Sequence, residues 1–203
     1  MTLDDNAYAA FMLDYASGAL SPAERLAAEL HRKLCRQGRH NAQMVDAVGG
    51  KLLEETSLLT QSVAEPDLKA PGPKKSHATQ HLFESLLEGE KLLDLPWRRD
   101  LFGLQTLPAG LPLASLLRLD PGERAPAHAH GRRDVAVVLT GAFADQFGVY
   151  ELGELAFAEP GMRHQPRAVG GRSCVCFLAT EPGKPVQGFI GLLASFLPRM
   201  TRN

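Results

Sequence analysis

The sequence predicts an α+β chain in two parts, a small helical unit over residues 1–92 followed by a β-barrel over residues 93–203. Three observations predict it. Up to Leu93 apolar residues recur at helical spacing, whereas beyond Trp97 they fall in short runs bounded by Gly and Pro. The helical part carries its own start signal, a capping box at Ser21. The second part holds two stretches, residues 122–141 and 153–164, in which histidines and a carboxylate recur at strand spacing.

Composition narrows the class. With 44% apolar residues the chain has enough material for a core. A net charge of -1 gives no general attraction to nucleic acid or membrane, so neither is expected as a direct partner. No uncharged apolar run is long enough to span a bilayer. The opening MTLDDNAYAAFMLDY lacks the basic start of a signal peptide, and three cysteines make an odd set. A cytoplasmic protein with reduced thiols is expected.

The elements follow in order. Residues 5–16 read as a helix that Ser17-Gly18 stops. Its Tyr8, Phe11, Met12 and Tyr15 are too widely spread for one small core, so this surplus apolar surface is a candidate partner-binding face. The second helix has Ser21 as N-cap, Pro22 in its first position and Glu24 closing the box. It continues through Leu26, Ala27, Leu30 and Leu34 and ends among Arg32, Lys33, Arg36 and Arg39, where basic residues suit the helix dipole. A third helix is expected over 41–59, weakened by Gly49-Gly50 at about 1 kcal/mol per glycine. Residues 65–75, EPDLKAPGPKK, read as a linker, and a further helix over 77–93 ends at Pro96. Strands are expected at 113–119, 135–139, 154–158, 174–179 and 186–190.

The chemistry sits in the two spaced stretches. The first is Gly122-x5-His128-x-His130-x3-Asp134-x6-Gly141. In one extended segment His128, His130 and Asp134 would all point to the same side, as the first three ligands of a metal. The second, Gly153-x5-Glu159-Pro160-Gly161-x2-His164, offers a fourth ligand after a Pro-Gly turn that can aim it. Three histidines and a carboxylate suit one divalent ion, zinc, iron, manganese or nickel. Asp134 is about 1.5 Å shorter than Glu, so a three-histidine site with an open position is the variant reading. Cys174 and Cys176 face one way on a strand. They are either barrel core or a redox-sensitive pair near the metal. His31-x3-Cys35 shares one helix face and is a candidate second metal site, against a reading of Cys35 as a small buried hydrophobe and His31 as a helix-terminal residue.

These two stretches resemble the paired motifs of the cupin superfamily, which implies a small barrel holding a metal, with Asp134 where Glu is usual and Glu159 where Pro is usual. The helical part before it, with "DYASGALSPAERLAAELHRKLC", together with "ASLLRLDPGERAPAHAH" and "GELAFAEPGMRHQP", is similar to the zinc anti-sigma factors of the ChrR type. That resemblance implies zinc, an extracytoplasmic-function (group IV) sigma factor as partner, gripped by the helices, and a cupin that senses a stress signal. It also implies a helical zinc site of four ligands, two of which fall here at Asn6 and Gly38. The competing readings are a cupin metalloenzyme of dioxygenase or isomerase type, and a small-molecule-binding cupin whose helices only make a homodimer. No nucleophile or substrate-specific motif supports a particular reaction.

Overall fold

The structure is a computed structural model, and it describes residues 3–35, 77–99 and 103–182. The helix expected over 41–59, the linker, Arg36, Gly38, Arg39, His40 and the strand expected over 186–190 lie outside the described residues.

Helix α1 is Leu3–Ser17. Gly18, at φ 78, ends it in the left-handed region that glycine enters without strain. Helix α2 is Pro22–Leu34, and its capping box forms: the Ser21 hydroxyl accepts from the Glu24 amide while the Glu24 carboxylate accepts from the Ser21 amide. Helix α3 is His77–Leu86. The expected run to 93 breaks there and resumes as a 3-10 helix, Gly89–Asp94. The break turns Leu92 into the core and presents its carbonyl to Trp97 Nε1 at 2.9 Å. Burying Leu92 outweighs continuing a helix through Gly89, a weak helix former.

Eleven antiparallel strands follow among the described residues. The main sheet is ordered β1 (Arg98–Arg99), β2 (Gln105–Pro108), β3 (Ala114–Leu119), β11 (Cys174–Thr180), β5 (Asp134–Thr140), β8 (Leu155–Ala158). A second sheet is ordered β10 (Arg167–Ala168), β6 (Phe143–Ala144), β7 (Val149–Tyr150), and β4 (His128–Ala129) pairs with β9 (Arg163–His164). The four longer expected strands appear within two residues of their expected ends. The short ones, without a periodic run of their own, were not legible.

Both faces of the main sheet are covered. Along β5 and β11, Val135, Val137, Leu139, Val175, Phe177 and Ala179 pack with the helices. The residues between them, Ala136, Val138, Cys174, Cys176 and Leu178, face the barrel interior. That two-sided burial explains why these strands read as continuous apolar runs. Helix α2 lies against β5 and β11, and its buried Ala23, Ala27 and Ala28 let its backbone come close to the sheet. Helix α1 lies against β8, with the Phe11 ring edge-on to Phe157 at 5.4 Å between centroids.

This corrects the partner-face expectation at two residues. Phe11 is 0% exposed and Met12 3%, because the outer face of the barrel sheet is itself apolar and takes them up. Tyr8 and Tyr15 are half-buried. The Tyr8 hydroxyl bonds His31, and the Tyr15 hydroxyl accepts from Arg32 at 2.9 Å. The outward face of α1 carries Ala9, Ala10 and Leu13 instead, Leu13 being 64% exposed.

Helices and barrel thus share one apolar cluster. We expect the full chain to unfold in urea as a single transition, with helical and barrel signals coincident. Phe11→Ala should lower that stability by about 3–5 kcal/mol for both signals together. Two separate transitions, with only the helical one shifted, would contradict the shared core.

Candidate metal centre

The centre is built on the β4–β9 pair. His128 and His164 stand directly opposite each other in its register. The expected Pro-Gly turn forms, with Gly161 at φ 84 and the Met162 amide donating to the Glu159 carbonyl at 2.9 Å. The loops are then tied together, since the Gly161 amide donates to the His130 carbonyl at 2.8 Å. Residues 131 and 132 form a bend, so His128 to Asp134 is not one extended segment. His128, His130 and His164 still converge, with ring centroids 4.6–4.8 Å apart.

The expected four-ligand set is corrected at Asp134. The bend carries it behind His130, where its Oδ2 accepts from Nδ1 of that ring at 2.6 Å. The residues whose ligand atoms cluster are His128, His130 and His164. The other two rings are held in the same way. His128 Nδ1 donates to the Pro126 carbonyl at 2.9 Å, and His164 Nδ1 donates to Asp145 Oδ2 at 2.8 Å. Asp145 sits at the start of the β6–β7 hairpin, and its Oδ1 also accepts from the Phe147 and Gly148 amides. Burial opposes its ionisation, but the bonds from His164 and those amides outweigh it and hold the carboxyl below its ordinary value. Burial, with the neighbouring imidazoles, pushes His128 down to about 4, so its ring is neutral near pH 7.

Every outer nitrogen faces an acceptor, so in the neutral ring each proton belongs on Nδ1 and each Nε2 keeps its lone pair. Those lone pairs point at one another. Nε2 of His164 lies 2.8 Å from that of His130 and 3.1 Å from that of His128. With no proton between them they repel, and a cation turns the repulsion into bonding. Zn–N bonds of about 2.0–2.1 Å in a tetrahedron put nitrogens about 3.3 Å apart, close to this spacing. The donor set therefore fits a divalent ion on three neutral imidazoles.

A cavity of about 370 Å³ opens beside the cluster. Cys174 and Cys176 are in its wall, buried, with their sulfurs 3.6 Å apart. The hydrogen bond with Cys174 and burial push the Cys176 thiol well up, away from the thiolate that oxidants attack.

The candidate second site, His31 and Cys35, lies where the end of α2 meets the barrel. Both His31 ring nitrogens are engaged: Nδ1 donates to the Gly153 carbonyl at 2.7 Å and Nε2 accepts from the Tyr8 hydroxyl at 3.2 Å. Burial lowers its pKa, so the docked ring is neutral. Cys35 is buried at the C-cap of α2. Gly153, at φ 80, seats this end of the helix; a Cβ there would come within 2.5 Å of the Cys35 nitrogen. Asn6 is exposed on α1. The glycine that opens the second motif thus docks a helix on the barrel. Sequence reasoning missed Asp145, and it singled out Gly153 as a motif glycine without its docking role. The one signal for Asp145 is its Asp-x-x-Gly turn spacing.

Barrel and histidine cluster together define a cupin with a candidate metal centre. Residues 104–184 match the family model described as ChrR Cupin-like domain. Over 215 residues the chain is 31% identical to anti-sigma-E factor ChrR of Cereibacter sphaeroides, covering 100% of this chain and 98% of that one. Its structure is similar to the crystal structure of Rhodobacter sphaeroides SigE in complex with the anti-sigma ChrR, with TM-score 0.62 and 32% identity, covering 85% of this chain and 96% of the matched one. The chain belongs to the ChrR family of anti-sigma factors. Among the described residues no helix is long and apolar enough to cross a membrane.

The outer hydrogen bonds carry a prediction. Asp145→Asn and Asp134→Asn should each weaken metal affinity by about 10–100-fold, as read by competition with a chromogenic chelator. His128→Ala/His130→Ala should abolish stoichiometric binding. Unchanged affinity in both aspartate variants would show that the rings are oriented by something else.

Proposed function

We propose that this chain is a cytoplasmic anti-sigma factor. The helical part, within residues 1–92, holds an extracytoplasmic-function sigma factor. The barrel, within residues 93–203, binds one divalent ion, zinc, at His128, His130 and His164 and adjusts that hold in response to a signal. The observation that carries this reading is the extent of the likeness: it runs over helices and barrel together, and the matched crystal structure is a sigma factor in complex with an anti-sigma factor.

The route between the two parts runs through β5. Arg133, just before the strand, reaches the helices, where it pairs with Glu24 at 2.7 Å and lies over the Phe11 ring. Its neighbour Asp134 holds His130. A change at the metal centre that shifts Asp134 also shifts the residue that grips α1 and α2. Because Phe11 and Met12 are taken by the barrel, we assign the sigma contact to the outward face of α1 around Leu13. The helices need no zinc of their own, since His31 is spent on Gly153 and Tyr8.

Co-expression with a sigma factor encoded beside this chain, followed by affinity capture, tests the reading. The full chain should retain the sigma factor. Leu13→Asp should weaken the complex by about tenfold or more, the equivalent of losing about 1.5–3 kcal/mol of leucine burial. Failure of the intact chain to capture any such sigma factor would sink the anti-sigma reading.

A further inference from the structure

The cavity beside the histidines is not shaped for an ion alone. It runs through the barrel interior, and most of its wall is apolar, including Leu104, Leu107, Leu117, Phe143 and Leu178. At about 370 Å³ it falls at the small end of ligand pockets, which span about 300–1,000 Å³. A wall that is mostly apolar favours an apolar guest. Its polar lining includes His128, His130 and His164, with Thr106, Ser115, Arg132 and Thr180 elsewhere in the wall.

Leu113 marks another part of the wall. It lines the cavity and is 43% exposed. It is also the one non-glycine residue with positive φ among the described residues, at 61°. Such strain persists where the surroundings hold it, often beside a ligand. Its carbonyl is fixed by the Thr180 amide at 2.9 Å, which keeps it against the end of β11.

With a divalent ion held on the three imidazoles, the histidine end would be cationic. Three neutral imidazoles bring no negative charge to a divalent ion. Asp134 and Asp145, the two acidic groups here, are spent one ring away on Nδ1 protons. A divalent ion on these three histidines would favour an anionic oxygen as a further partner, and a carboxylate suits each of the metals this donor set accepts.

We propose that the barrel binds a small amphipathic carboxylate of the medium-chain fatty acid class. Its tail fills the apolar cavity and its carboxylate meets the three-histidine cluster. This rests on the reading of the barrel as the sensing part and names the chemistry of what it senses. Octanoate is a probe of the right size and charge.

The test is calorimetric titration of octanoate into the full chain loaded with zinc, with zinc content measured on the same samples and sigma capture run in parallel. The expected result is saturable binding of one octanoate per chain. Binding should weaken by about tenfold or more in Ala136→Leu, which fills the cavity wall, and in Leu113→Asp, which puts charge on it. Both variants should keep their zinc. Asp also tolerates positive φ, so the second variant folds even if the first does not. 1-Octanol, without the carboxylate, should bind at least about tenfold less tightly. No saturable binding by a zinc-loaded chain, equal binding in Leu113→Asp, or equal binding of the alcohol overturns the proposal, and leaves sigma capture to decide the anti-sigma reading by itself. Octanoate binding without sigma capture upholds the cavity assignment and removes the anti-sigma reading alone.

Discussion

Arg133 and Asp134 are adjacent in the chain and serve opposite faces of one sheet. Strand alternation sends Arg133 outward to the helices and Asp134 inward to the metal centre. Outside, Arg133 meets Glu24, 3% exposed at the start of α2. Burial opposes the charge on Glu24, but hydrogen bonds from Ser21 and Arg133 outweigh it and keep its carboxyl below the ordinary value. Removing one partner of such a pair leaves the other charged and buried, at a cost of about 3–5 kcal/mol. Inside, Asp134 fixes the tautomer and direction of His130. The helical unit and the histidine cluster are therefore held to the same two residues of backbone.

The junction between helices and barrel has a second fastening. His31 could serve a metal only by turning a ring nitrogen toward it, and both nitrogens already bond within the chain. One bond crosses to the turn before β8 and the other crosses to α1. Gly153 allows this because any side chain there would strike α2. Hydrogen bonds and close packing thus engage His31 and the end of α2 within the chain. Both fastenings sit on the face of the sheet opposite the cavity, so the barrel interior stays open while its exterior is sealed.

Much of this was legible from spacing. The capping box, the glycine stops, the four long strands and the three histidines all follow from local periodicity or fixed turn chemistry. The misreadings have physical causes. Asp134 was placed beside His130 on one strand, but the bend at 131–132 puts it behind the ring instead. Phe11 and Met12 looked surplus because the first helix was weighed against a small helical core. Their actual partner is the outer face of a sheet whose second apolar side is hidden inside a continuous run of valines. For the same reason a division at residue 92 misses the apolar cluster that spans it. Asp145 had only its turn spacing to announce it, since a carboxylate that orients a ligand needs no fixed spacing from it in sequence.

The central claim is that one ion sits on three imidazoles in the barrel while the helices are held without metal. X-ray absorption at the metal edge of the purified full chain tests both halves at once. The prediction is one metal per chain, with three imidazole rings at about 2.0–2.1 Å and no sulfur near about 2.3 Å. A sulfur neighbour, or a second metal equivalent, would place an ion at His31 and Cys35 and contradict the hydrogen-bonded junction that joins helices to barrel.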